Sequence, residues 1–242
     1  MTVRQHVAAC LLAGVMTMTS VTADALSTLG GQTIGQTFKD DKVAALTKAA
    51  VAGDEKKVAL LVSQGVNVNT VAENGATPLM WALNARNHKG VEALLKAGAD
   101  PNLLSDKTGM SPMNFVPMGD DVELLRLLLK YGGNPNHPGK GDISERPLSL
   151  ASSYGRIENM KLLLDAGADI NAHDKFNDSA ANRTLGSAEF EATTFLLEHG
   201  YVFNLSNLAK GVKVRQVPPN SDAQRWKDKV LQLLKERGVE IK

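Results

Sequence analysis

The chain has 242 residues, 43% apolar and only 5% aromatic, with 27 Lys and Arg against 26 Asp and Glu for a net charge of +1. That length holds one large or two small domains, and the apolar content excludes a mostly disordered chain. The near-neutral balance gives no strong field to draw nucleic acid or an anionic membrane, so a nucleic-acid partner is not expected.

Residues 1–25, MTVRQHVAACLLAGVMTMTSVTADA, begin with Arg4 and His6, run through an apolar stretch from Val7 to Met16 and end in Ala23-Asp24-Ala25. This is the layout of a secretory signal peptide, with cleavage expected near Ala25. Its apolar stretch is too short for the ~20 residues of a spanning helix, so no stable membrane insertion is expected after removal. Removal takes away Arg4 and Asp24 and leaves the net charge unchanged. Cys10 is the only cysteine, so the exported chain would hold no thiol. That suits a periplasm or the medium outside the cell, and it excludes thiol catalysis and Cys-ligated zinc. Residues 26–40 read as an N-terminal linker.

From residue 41 the chain repeats itself. Leu-rich helical segments such as VEALLKAG and ENMKLLLDAG each stop at a glycine: Gly65, Gly98, Gly132, Gly167 and Gly200, at steps of 33, 34, 35 and 33. Asn69, Asn102, Asn136, Asn171 and Asn204 follow at the same steps. A glycine without Cβ leaves a helix through the left-handed region at no penalty, so each marks a helix end. Upstream lie TPLMWA (77–82), SPMNFV (111–116) and RPLSLA (146–151). Pro78, Pro112 and Pro147 suit a first helical turn, and Thr77 and Ser111 suit the N-cap. Each unit therefore reads as loop, helix, turn, helix, stacked on its neighbours.

With that period, the first-helix motif and the closing GADxN, residues 41–204 resemble about five units of the ankyrin-repeat family. The resemblance implies an all-α solenoid of helix-turn-helix units with β-turn or hairpin loops between them. The motif histidine is replaced by Met80, Asn114 and Ser149, so weaker hydrogen bonding between neighbouring loops is expected. The fifth unit has DSAANRTL where the proline should stand and is expected to be irregular. Residues 205–242 read as a C-terminal helical cap, with a helix from near Ser221 to Gly238 whose Trp226, Val230, Leu231, Leu233 and Leu234 seal the stack.

No catalytic chemistry declares itself. Phosphate-cradling glycine loops, a nucleophile elbow and paired carboxylates are all missing from the pattern. His88, His137, His173 and His199 have no ligand spacing and read as solvated surface residues. No cofactor or metal is expected, and the chain reads as a non-enzyme. An enzyme with a site hidden in residues 205–225 is the competing class.

The family resemblance implies instead a concave face that grips another protein, the free chain being a monomer. Partner-facing positions lie in the loop before each first helix and at that helix's C-terminal end. Carried onto this chain they are Glu73, Asn74 and Ala76 with Asn84 and Ala85; Lys107, Thr108 and Met110 with Met118 and Gly119; Glu145 with Ser153 and Tyr154; and Lys175, Phe176 and Asp178. Lys107, Met110, Met118, Tyr154 and Phe176 are the partner-binding candidates, with packing of each loop on its own unit as the alternative for Met118, Tyr154 and Phe176. Trp81, with Phe115 and Leu150 at the same place in successive helices, is either a further contact on the groove wall or framework packing. The insertion HPGKGDISE (137–145) is either a contact loop or a tolerated length change. Two roles fit: a scaffold for an envelope enzyme, and an immunity-type inhibitor of a secreted toxin.

Overall fold

The computed structural model describes residues 28–139 and 146–241. The signal-peptide reading of residues 1–25, with Cys10, and Glu145 with most of the 137–145 insertion lie outside the described residues. The chain falls into two compact units that divide after Pro112. Among the described residues the structure is helical, with one two-stranded hairpin.

The first unit opens with strands β1 (Thr28–Leu29) and β2 (Gln32–Thr33), paired antiparallel, and helix α1 (Ile34–Thr37). Thr33 starts α1 by a reciprocal cap: its Oγ1 accepts from Gln36 N at 3.3 Å, and Gln36 Oε1 accepts from Thr33 N at 2.8 Å. Ile34 and Phe38 are buried. The described part of the stretch read as a linker is therefore folded, because it has two apolar side chains to put away.

Four helices follow: α2 (Asp41–Ala52), α3 (Glu55–Ser63), α4 (Pro78–Asn84) and α5 (His88–Lys96). Each starts where a short polar side chain satisfies a free backbone N–H. Asp40, Asp54, Thr77 and Asn87 accept from Val43, Lys57, Met80 and Gly90 respectively. Helix α2 packs against α3, α4 and α5 around Leu46, Ala50, Leu79, Val91 and Leu94. Between α2 and α5 the approach is so close that a Cβ on Gly90 would lie 1.8 Å from Ala50 O.

The second unit begins at Met113, inside α6 (Pro112–Phe115), and runs through a 3-10 turn (Val116–Met118), α7 (Val122–Lys130), α8 (Pro147–Ser153) and α9 (Ile157–Asp165). It continues with α10 (Ala180–Ser187), α11 (Phe190–Glu198), α12 (Leu205–Val214) and α13 (Asp222–Glu236). Pro117 carries no N–H and stops α6 after one turn. The fifth first helix, α10, forms without proline because Ser179 caps it, accepting from Asn182 N at 3.3 Å. The irregularity expected there shows in the backbone, where Asn177, Ala188 and Asn204 take the left-handed region at φ 61, 59 and 43.

Helices α12 and α13 pack on each other and on α10 and α11, so the C-terminal cap is one more helix-turn-helix pair. Ser221 caps α13, and Val230 and Leu234 are buried while Trp226, Leu231 and Leu233 are half-buried. Arg237, just past α13, donates to Tyr201 O over 2.6 Å and to Leu197 O, fastening the last helix to the end of α11.

Neighbouring loops within a unit are tied by three of the asparagines that close the motifs, Asn69, Asn136 and Asn171. Asn69 Nδ2 donates to Gly98 O over 2.9 Å and its Oδ1 accepts from Asp100 N over 2.8 Å. Asn136 repeats both bonds with Gly167 O and Asp169 N, each at 2.8 Å. Asn171 Oδ1 accepts from Val202 N and Phe203 N at 2.9 and 3.2 Å. At one of the positions where the motif histidine is replaced, Asn114 Nδ2 donates to His137 O over 3.1 Å, so a side chain there still ties a loop.

Candidate protein-binding surface

Three of the loop tips are tight turns closed by backbone bonds. Ala72 N donates to Ala76 O over 2.9 Å, Ser105 N to Met110 O over 3.0 Å, and Asp174 N to Asp178 O over 3.0 Å. In the third tip Asp174 Oδ1 accepts from both Phe176 N and Asp178 N, at 2.8 and 2.9 Å. That clamp turns the Phe176 side chain outward, 66% exposed, with Lys175 Nζ 5.1 Å from its ring centroid. Lys107 stands exposed on the second tip. On the first, Glu73 and Asn74 are engaged within the chain, by Lys39 Nζ at 2.5 Å and by Gln32 Oε1 at 2.7 Å.

Burial removes three of the partner-binding candidates. Trp81 has no exposed surface, Met110 has 2% and Met118 has 6%. Trp81 is framework: the residue after Met80 in α4 faces into the unit, and its Nε1 has no acceptor among the described residues. Met110 ends a hairpin whose last residue turns inward, and Met118 is folded under by the 3-10 turn that Pro117 imposes. Ala76 is buried for the same reason as Met110. Phe115 and Leu150 are half-buried. Tyr154, at the C-terminal end of α8, is 47% exposed.

The structure also brings out residues that motif reading missed. The C-terminal ends of α8, α10 and α12 are joined to one another: Ser187 Oγ donates to Ser153 O over 2.6 Å, and Arg215 Nη2 to Gly186 O over 2.8 Å. This sets Ser187, Val214 and Arg215 in a row with Tyr154. Residues 205–215 lack the first-helix motif, so nothing in their letters marked them as a repeat's first helix. The one available signal for the surface, though not for the repeat, was KGVKVR (210–215), three cations within six residues around Val212 and Val214.

Near Tyr154 the carboxylate of Glu189 sits where a Cβ on Gly155 would meet it. Burial pushes its pKa up, against the pull of Arg156. Burial likewise raises the pKa of the Tyr201 phenol, opposed by its 2.7 Å hydrogen bond with Ser179. Among the described residues no group of three or more His, Cys, Asp or Glu could hold a metal ion, and no helix is long and apolar enough to cross a membrane. His173 stacks on Phe203 and His199 on Phe195, each with ring centroids 3.9 Å apart, which gives both exposed histidines a packing role.

The family model described as Ankyrin repeats matches in three copies, over residues 20–105 and 92–174. A putative ankyrin repeat protein of Acanthamoeba polyphaga mimivirus is 32% identical over 98 residues, 40% of this chain and 13% of that protein. Protein PhlB of Serratia liquefaciens is 31% identical over 135 residues, 56% of this chain and 58% of PhlB. Mitochondrial disaggregase of Homo sapiens is 33% identical over 157 residues, 64% of this chain and 20% of that protein. The chain thus spans less than two thirds of the length of each of these relatives.

Proposed function

Because the chain belongs to the ankyrin-repeat family, we propose that it is a non-catalytic protein-binding module, exported from the cell, that serves as a scaffold or adaptor. Ankyrin repeats bind other proteins, and the units described above are built for that use. The observation that carries the reading is a pair of exposed aromatic side chains, Phe176 on a hydrogen-bonded loop tip at 66% exposure and Tyr154 at the C-terminal end of α8 at 47%. Aromatic side chains on a closed loop or a helix end, where the backbone is already ordered, offer large contact area at little entropic cost on binding. Export rests on the signal-like layout of residues 1–25.

A tagged chain of residues 26–242 tests the reading against an envelope extract, beside a variant with Lys107, Tyr154 and Phe176 changed to Ala. One protein retained by the parent and lost from the variant is the expected result. A folded bait that retains nothing, or a variant that retains the same protein, overturns it. Should the retained protein be a secreted toxin silenced on binding, the role is immunity and not scaffolding. Intact mass of the periplasmic protein checks export: mass corresponding to the loss of residues 1–25 is expected.

A further inference from the structure

Resting on that protein-binding reading, we infer that the row of helix ends in the second unit takes an acidic segment of a partner protein that also carries an apolar side chain. Two apolar side chains stand out from the row, Tyr154 on α8 at 47% exposure and Val214 on α12 at 77%. Cations gather at the α12 end. Lys210, Lys213 and Arg215 are exposed there, and Lys227 of α13 donates to the carbonyls of Lys213 and Arg215 over 3.3 and 2.6 Å.

The surrounding charge is one-sided. Residues 199–221 contain neither Asp nor Glu. Helix α10, on which α12 packs, contributes only Arg183, paired with Asp178 at 2.6 Å. On α13 the carboxylates engage their own helix: Asp222 pairs with Arg225, Asp228 accepts from Gln224 and Glu236 accepts from Gln232. Bare helix C-termini carry partial negative charge and would repel an acidic segment. Arg215 at the end of α10 and Lys227 at the end of α12 cancel that repulsion, and Lys210 and Lys213 add positive charge beyond it. At the opposite end Glu189 lies beside Gly155, next to Tyr154. The row is therefore polar along its length: carboxylates of the partner seat at α12, and its apolar group lies between Val214 and Tyr154. Charge steers and orients such a segment, and the exposed apolar contacts hold it. A nucleic acid fits less well, since phosphates continue at close spacing whereas the cations here stop at one end and give way to a carboxylate.

A random dodecapeptide library displayed on phage, selected against the full chain, gives the probe. The enriched peptide is then titrated by fluorescence anisotropy against three chains: the parent, Lys210→Glu with Lys213→Glu, and a control with Lys56→Glu and Lys57→Glu on the exposed face of α3. Enriched peptides should combine Asp or Glu with an aromatic or aliphatic residue. Their affinity should fall by about tenfold or more in the α12 variant and stay unchanged in the control. A peptide with its acidic residues changed to Lys should prefer the α12 variant to the parent, a reversal that loss of folding would not produce. Peptides without acidic enrichment, or peptides sensitive to Tyr154→Ala and Phe176→Ala but indifferent to the α12 reversal, would overturn this inference and leave protein binding standing. If no peptide is enriched while a single-stranded oligonucleotide binds the parent and not the α12 variant, both readings fail.

Discussion

Helices α5 and α9 are each the second helix of a pair, and their third residues, Gly90 and Asn159, meet the first helix of the preceding pair in opposite ways. Gly90 has no side chain, and the backbone of α5 closes onto Ala50 O, where a Cβ would sit 1.8 Å away. Asn159 keeps a buried side chain whose Nδ2 donates to Pro117 O and Gly119 O, both at 3.0 Å. Helix α2 runs unbroken to Ala52, and the carbonyls at its end already have donors, Gly53 N for Ala49 O and Ala50 O and Asn87 Nδ2 for Val51 O, so no donor is needed at Gly90 and close packing is the better solution. Pro117 breaks the corresponding helix in the second unit, and the freed carbonyls need donors, which Asn159 and Arg156 supply. One repeat position thus accepts glycine or asparagine according to whether the helix facing it is intact.

The contrast can be broken first at its tightest point. Gly90→Ala should destabilise the protein by about 3 kcal/mol, because backbone and not a movable side chain blocks the new methyl; chemical denaturation measures it, and no loss would mean that α2 and α5 can part freely. Next is Asn159→Ala, which should lose about 2 kcal/mol by leaving two buried carbonyls without their donor. Combined with Pro117→Ala, which lets the helix continue, that loss should shrink; equal losses in the two backgrounds would sink the link between the proline and the asparagine. A smaller effect is expected at the loop ladder, where Asn136→Ala removes two bonds from solvent-exposed backbone and should cost about 1 kcal/mol in the same assay.

The smallest effect depends on pH. Burial raises the pKa of Glu189, so the folded state holds that proton more tightly than the unfolded chain. The associated stability is present below the ordinary value of 4.5 and declines as pH rises through the raised folded value. Glu189→Gln should therefore raise the Tm slightly at pH 7, by well under about 1 kcal/mol in stability because solvent screens the group, and the gain should vanish in acid. A gain that persisted at low pH would assign the effect to packing against Gly155.

Much of the fold was legible because repetition exposes local rules. Gly98 and Gly167 take φ of 91 and 90, and Pro78 and Pro147 open their helices, as steric rules for those residues require. The candidate surface was legible in part. Tyr154 and Phe176 are exposed, but Trp81, Met110 and Met118 were read by residue type, and large apolar side chains serve a core as readily as an interface. The row at Ser187, Val214 and Arg215 escaped notice because α12 keeps the shape of a repeat without its letters.

Spacing and turn chemistry, which act within a few residues, determined where helices start and stop, how many pairs form and that those pairs stack. Which side of each helix remains in water was decided by the tertiary structure alone. Two residues one position apart, Ser153 and Tyr154, differ because one lies under the next helix end while the other lies beyond it. That distinction comes from packing between segments about thirty residues apart, a separation over which local sequence rules carry no force.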